Sequence, residues 1–393
     1  MRTLDDPKSH MVTCIVLVLV ASSVATWAQQ QENAALLYYQ AFLLHEKPDD
    51  GLVHTIGDYG KGKIEGNEKI AEHIEKNRSA IASAVKAADM DTCDWGYDYS
   101  QGFDLQMPHL PQVRRIAFLL SAEARSLAER GDYATALDRC ITLRKMAGHV
   151  TDRTLITYLV GLALNGLANG AAQNILGLMP GDVKELSEFK NRLSQTQERF
   201  PTLEYTYTQE AQVCAESMRK EKAETLITLM RQGNDSVSDS TIRRLRGDEA
   251  FFERNRNHYA NAIGTIIDTL ESSLSYQEIC IKLDELDRHF CGEASDNPDA
   301  TLTAMALPAT KRILQLRVRQ QTHVNALCTA IDLYMAKATT GRLPDTLSAN
   351  APNDLFSGKP FRYEKTADGF VLHCQGKDLD KDKAYEFEFK VAK

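Results

Sequence analysis

The sequence predicts a mainly α-helical protein: an antiparallel bundle or array of helical hairpins, with a small C-terminal antiparallel β ribbon packed on the last long helix. Three observations predict it. Apolar residues recur at helical spacing in segment after segment between residues 33 and 338. The connections between those segments are short, which favours antiparallel neighbours. After Gly341 the pattern changes, and Tyr385, Phe387, Phe389 and Val391 alternate with Glu386, Glu388 and Lys390, a period of two with one buried face. The expected division is an export segment over residues 1–28, a helical body over 29–300, and a long helix with its β tail over 301–393.

Residues 11–28 (MVTCIVLVLVASSVATWA) form a continuous apolar run that ends in small residues ahead of Gln29, Gln30, Gln31 and Glu32. This is the pattern of a secretory signal, with Thr26 and Ala28 at the −3 and −1 positions of the cleavage site. Residues 1–10 carry Asp5 and Asp6 beside Arg2 and Lys8, so Met11 is an alternative start. Left uncut, the run is a membrane anchor, because about 18 apolar residues are the lower limit for a span. Cys14 stands at the beginning of the apolar run rather than after it, which argues against a lipoprotein. The expected location is the periplasm or the extracellular space, with the membrane reached only through an uncleaved signal.

The formal net charge is −8, and loss of residues 1–28 leaves it there, because Arg2, Lys8, Asp5 and Asp6 leave together. A mildly acidic chain lacks the basic footprint of a nucleic-acid binder and a polybasic patch for anionic lipid. Beyond the signal the cysteines are Cys93, Cys140, Cys214, Cys280, Cys291, Cys328 and Cys374, an odd set without a C-x-x-C pair. A thioredoxin-like motif or zinc ribbon is therefore not indicated. Two readings stand: a Cys280–Cys291 bridge, which an exported location permits, or small buried apolar residues.

The elements follow in order. Residues 33–44 (NAALLYYQAFLL) predict a first helix, ended before Pro48. Residues 51–66 are rich in glycine and polar side chains and predict a loop. The GDYGKGK within it lacks the spacing of a phosphate-binding loop. Residues 67–90 predict one amphipathic helix with Ile70, Ile74, Ile81 and Val85 on its apolar face. Residues 94–111 (DWGYDYSQGFDLQMPHLP) form an aromatic-rich connection. Trp95, Tyr97 and Tyr99 there are the candidate interaction residues, read either as a binding lip or as aromatics that pin a long loop to the helical body.

Ile116, Leu119, Leu120, Ala124 and Leu127 share one helical face. Gly131 ends that helix and Asp132 caps the next, which is expected to bury Ala134, Leu137, Ile141 and Met146. The passage AEARSLAERGDYATALDRCITLRKMA, within residues 117–147, resembles a single tetratricopeptide hairpin through its G-D-Y-x-x-A-L turn. It spans about one 34-residue repeat and has no second copy. Residues 154–179 are apolar nearly all round, but Asn165, Asn169, Gln173 and Asn174 are costly in lipid. A central buried helix is expected, with Gly161, Gly166 and Gly170 allowing close neighbours. Residues 182–231 predict a long polar helical stretch broken near Pro201, and 233–240 a linker. Residues 248–291 resume helix, 292–300 form a second linker, and 311–338 make the last long helix.

In the tail, residues 361–363, 369–374 and 385–391 predict three short strands, with 354–360 and 377–383 as turns. Such a ribbon does not stand alone. Here AIDLYMAKATTGRLPDTL followed by DLFSGKPFRYEKTADGFVLHCQGKD resembles the globular end of a type II secretion major pseudopilin. The positions that carry the resemblance are Leu333, Tyr334, Gly341, Arg342, Pro344, Asp354, Phe356, Gly358, Pro360, Phe361, Tyr363, Gly369, Phe370, Gly376 and Asp378, within about the last 60 residues. The chain departs from that family in having an ordinary export signal and a polar helix ahead of the tail (Lys311, Arg312, Arg317, Arg319), so polymerisation is not implied. As a whole the chain is similar to a group of bacterial exported proteins that join a helical body to such a tail, through the WGYDY loop, PHLPQVRR and the TLITYLVGLAL helix. The pseudopilin resemblance implies calcium at Asp378, Asp380 and Asp382, whose carboxylates suit a hard cation. Against it stands an acidic solvated turn interleaved with Lys377, Lys381 and Lys383. Lys383 and Phe389 occupy the positions where an EF-hand needs glycine and glutamate.

None of the ten histidines forms H-E-x-x-H or H-x-H, and no G-x-S-x-G occurs. Asp284, Glu285 and Asp287 lie at solvent-face spacing on a helix. The expectation is a non-enzymatic exported envelope protein that acts as a scaffold or interaction module with a protein partner. The alternatives are a secreted hydrolase with a fold-dependent site, or an accessory of a type II secretion-like machine, sensitive to substitution of Tyr334, Asp354 or Tyr363.

Overall fold

The computed structural model describes residues 33–233 and 238–391. The export segment expected at residues 1–28 lies outside them, as does part of the 233–240 linker. The described chain is mainly helical with a small antiparallel sheet at its C-terminus, the fold class the sequence predicts.

Helix α1 (Ala34–Leu44) is capped by Asn33, whose Oδ1 accepts the Ala35 N–H at 3.1 Å. The same side chain exchanges hydrogen bonds with the Asp94 backbone, so the cap also fixes the start of the aromatic connection. The expected loop at 51–66 is instead helical over α2 (Asp50–Gly60). Gly60 serves packing rather than turning. A Cβ on Gly60 would stand 2.7 Å from Ser121 Oγ, so only glycine lets α2 lie this close to its neighbour. Ile56 and Tyr59 are buried in that contact. The expected single helix at 67–90 is two helices, α3 (Glu68–Lys76) and α4 (Arg78–Ala88). They divide at Asn77, which is fully buried and exchanges hydrogen bonds with both backbone groups of Glu46.

A 3-10 turn (Tyr99–Asp104) sits in the aromatic connection. Helices α5 (Leu110–Glu129) and α6 (Tyr133–Val150) form the expected hairpin through Gly131 at φ 82° and the Asp132 cap. Ala136 is buried there, and Ala134 is exposed, because the helix begins at Tyr133 and its buried face is set accordingly. Helix α7 (Leu155–Leu176) is the central element and packs on α5 and α6. It is long and apolar enough to cross a membrane, but 67% of its apolar window is buried inside the protein.

The expected polar stretch at 182–231 breaks twice, giving α8 (Val183–Arg199), α9 (Leu203–Ser217) and α10 (Ala223–Gly233). The second break lies at the fully buried Met218. Then follow α11 (Asp239–Gly247), α12 (Glu249–Leu270) and α13 (Tyr276–Gly292). The last two divide the expected 248–291 helix, because Ser275 and Glu278 form a reciprocal capping box that starts a new helix. The second linker contains two single 3-10 turns ahead of α14 (Thr301–Ala306). Helix α15 (Thr310–Thr340) ends at Gly341, in the left-handed conformation.

In the tail, β1 (Asn353–Asp354) pairs with β2 (Lys359–Pro360), a hairpin the sequence pattern was too short to show. Strands β3 (Arg362–Lys365), β4 (Gly369–His373) and β5 (Glu386–Lys390) form an antiparallel sheet in that order. Phe370 faces Phe389 and Leu372 faces Phe387 across the register, and all four are buried. The ribbon packs on α15, where His323 stacks on Phe387 at 4.7 Å. It also packs on α7, where Gln173 Nε2 donates to the Glu388 carbonyl at 2.7 Å. The largest core runs from Ala124 to Phe389 and crosses the boundary drawn at residue 300. A second core gathers α1, α4, α5, α6 and α7 around Trp95. All seven described cysteines are free thiols, so Cys280 and Cys291 are not bridged.

Candidate functional site

The aromatic connection is held from inside. Trp95 is 6% exposed, and its ring packs 4.1 Å from His109 and 5.6 Å from Tyr38. Its Nε1–H donates to the His149 carbonyl at 2.8 Å. The Tyr97 hydroxyl is hydrogen-bonded to His109 Nδ1, and the Tyr99 hydroxyl donates to the Asp152 carboxylate. Trp95 is thus turned into the second core rather than onto a lip, while Tyr97 and Tyr99 are half-buried beside it. Burial lowers His109 to about 4, so its imidazole is neutral at physiological pH.

The acidic turn of the tail is held in the same way. Asp378 is 3% exposed. Its carboxylate accepts the Asp380 and Lys381 N–H groups and the Tyr385 hydroxyl. Asp382 pairs with Lys377 at 3.0 Å. Asp378 and Asp382 thus engage their carboxylates within the chain, whereas a calcium cage takes six to eight oxygens. Among the described residues, no three His, Cys, Asp or Glu side chains are grouped as metal ligands. Asp354 is the stronger hub. It is fully buried and accepts the N–H groups of Phe356, Gln375 and Gly376 together with the Ser357 hydroxyl. Gly376 lies against the Phe356 backbone, where a Cβ would come within 2.5 Å. These positions of the tail therefore brace two turns.

A different centre forms where α6, α7 and α8 meet. Arg144, on α6, is 2% exposed. Its Nε donates to Thr196 Oγ1 at 2.7 Å, Nη1 to Asn169 Oδ1 at 2.8 Å and Nη2 to Gln197 Oε1 at 2.8 Å. All three acceptors are neutral, and no ion pair joins Arg144 to a carboxylate among the described residues. Burial lowers the guanidinium to about 10, which leaves it charged at neutral pH. Arg144 lines a cavity of about 420 Å³ between α6, α8 and residues 88–93. Paired charges stand around it: Lys145 with Asp89 at 2.7 Å, and Arg192 with Asp138 at 2.6 Å. His149 in the wall is hydrogen-bonded through Nδ1 to the Tyr38 hydroxyl at 3.0 Å, and burial lowers its pKa. Burial pushes the Cys93 thiol up to about 12, away from the reactive thiolate.

Sequence reasoning did not single out Arg144, Thr196 or Gln197, and read Asn169 only as an amide that keeps its helix out of lipid. The one available signal was an arginine on the apolar face of α6 that carries Leu137, Cys140, Ile141 and Ala147. The arrangement presents a fixed cation among amides and a hydroxyl, chemistry suited to holding a group rather than transforming one. No protein-family model, curated protein or solved structure matches the chain.

Proposed function

We propose that this chain is a non-enzymatic exported protein of the cell envelope that works as an interaction module, and that its partner is received at the cleft between α6 and α8. The observation that carries this is the cleft itself: a buried arginine at its floor and charged residues around its rim. Protein interfaces are built in this way, with an arginine anchor inside a polar rim. The placement in the envelope rests on residues 11–28. Tyr334 donates to the Lys390 carbonyl, Tyr363 to the Pro344 carbonyl, and Asp354 is enclosed, so the tail's motif residues are engaged within the chain. That favours the interaction reading over a secretion accessory acting through them.

The test is site-specific photocrosslinking in the native host. A photoreactive residue at Gln195, an exposed cleft position, should trap one discrete envelope partner, identified by mass spectrometry. The same residue at the exposed Glu253, outside the cleft, should not. Equal labelling from both positions, or none from Gln195, would overturn the reading.

A further inference from the structure

We propose that Arg144 is the anchor of a second binding site, for a small monocarboxylate with an apolar body, in a cavity walled by α7 and α15. This cavity is about 280 Å³ and shares Arg144, Phe200 and Pro201 with the cleft. Two observations carry the assignment. A guanidinium has five N–H donors, and Arg144 uses three, one on each nitrogen. Each terminal nitrogen therefore keeps a donor without an acceptor among the described residues. The Tyr158 hydroxyl, fully buried in the wall of the same cavity, has no hydrogen-bond partner among the described residues. Buried donors of this kind are rare in folded proteins and call for an acceptor.

Charge then selects the acceptor. Arg317, the other cation in the wall, is neutralised by Glu204 at 2.7 Å. Glu198 stands at the cavity with its side chain exposed and makes no ion pair with Arg144. His323 nearby is lowered to about 4 by burial and by Arg144, so it adds no charge at neutral pH. One buried positive charge remains uncompensated, which matches a monoanion better than a phosphate dianion. Leu162, Phe200 and Val324 give the cavity an apolar side, and the Phe200 ring packs 5.5 Å from that of Tyr158. A carboxylate accepting from Arg144 and Tyr158, with a short apolar body against these three residues, fills both requirements. The inference stands apart from the interaction reading, because carboxylate binding and crosslinking at Gln195 succeed or fail separately.

The test is isothermal titration calorimetry on the purified protein with benzoate, benzamide and inorganic phosphate. Benzoate should bind saturably at one site per chain, and benzamide, its uncharged isostere, about tenfold more weakly or worse. Phosphate should bind more weakly than benzoate. Arg144→Gln should reduce benzoate affinity by about tenfold or more, and Tyr158→Phe by about threefold or more. Absence of saturable benzoate binding, equal affinity for benzamide, or tighter binding of phosphate would each overturn the proposal. The benzoate and benzamide comparison uses the unaltered chain, so the answer does not depend on whether Arg144→Gln folds.

Discussion

Arg144 of α6 holds Asn169 of α7 through a 2.8 Å hydrogen bond from Nη1 to Oδ1, and Asn169 in turn donates to the Gln320 carbonyl of α15 at 3.4 Å. With Thr196 and Gln197 of α8, one guanidinium links four helices without a carboxylate in the set. Arg144→Met leaves the buried Asn169 and the half-buried Thr196 and Gln197 without this donor and should destabilise the fold by about 2–4 kcal/mol. Arg144→Lys keeps the charge but cannot reach all three acceptors, and should fall between. Urea unfolding measures both, and an unchanged midpoint for Arg144→Met would show that the network contributes nothing.

Trp95 reports on the second core. In a chain that begins at Gln29 it is the only tryptophan. Its emission should therefore be that of a buried indole and should shift to the red in one step with unfolding. Trp95→Ala removes the ring between Tyr38 and His109 and the bond to His149, at a cost of about 3–5 kcal/mol. Emission typical of water-exposed indole in the native protein would contradict this placement.

His109 makes stability depend on pH in a defined direction. Its folded pKa is about 4, below the ordinary value of 6.5, because burial disfavours the imidazolium. Between these values the unfolded chain binds more protons than the folded one, so stability falls as pH drops from about 6.5 toward 4. The contribution is at most about 3 kcal/mol. His109→Gln should flatten that part of a stability profile measured by denaturant unfolding at several pH values. A slope unchanged by the substitution would assign the window to other groups.

Asp354 should be the most sensitive position of the tail. Asp354→Ala strands three N–H groups and one hydroxyl that now donate to a single buried carboxylate. The expected loss is about 3 kcal/mol or more. Hydrogen exchange should show the Gln375 and Gly376 amides losing protection first. Retained protection at both amides would mean that the turns hold without it.

Calcium should leave the melting temperature unchanged, because the Asp378 carboxylate already accepts two backbone N–H groups and the Tyr385 hydroxyl. Asp378→Asn should lower the melting temperature by itself, with or without a chelator. A saturable, calcium-dependent rise in the unaltered protein would show that the acidic turn is a metal site after all.

The fold class was determined by local pattern. Helical spacing over residues 33–338 and the alternation of Tyr385, Phe387, Phe389 and Val391 each fix which face a segment must bury, and burial of that face dominates its choice of structure. Long, strongly patterned elements such as α6, α7 and α15 were legible for this reason. Tertiary contacts decided the rest. Gly60 looks like a turn residue in sequence, but the closeness of α2 to Ser121 makes it a packing residue of a helix. Asn77 interrupts a good amphipathic pattern because Glu46, distant in sequence, supplies its hydrogen bonds. Of the Arg144 centre, the sequence carries only an arginine on an apolar helix face and an amide in an apolar helix. The arginine's partners lie on α7 and α8, and a side chain's charge, donors and burial acquire chemical meaning only when distant helices bring their acceptors to it.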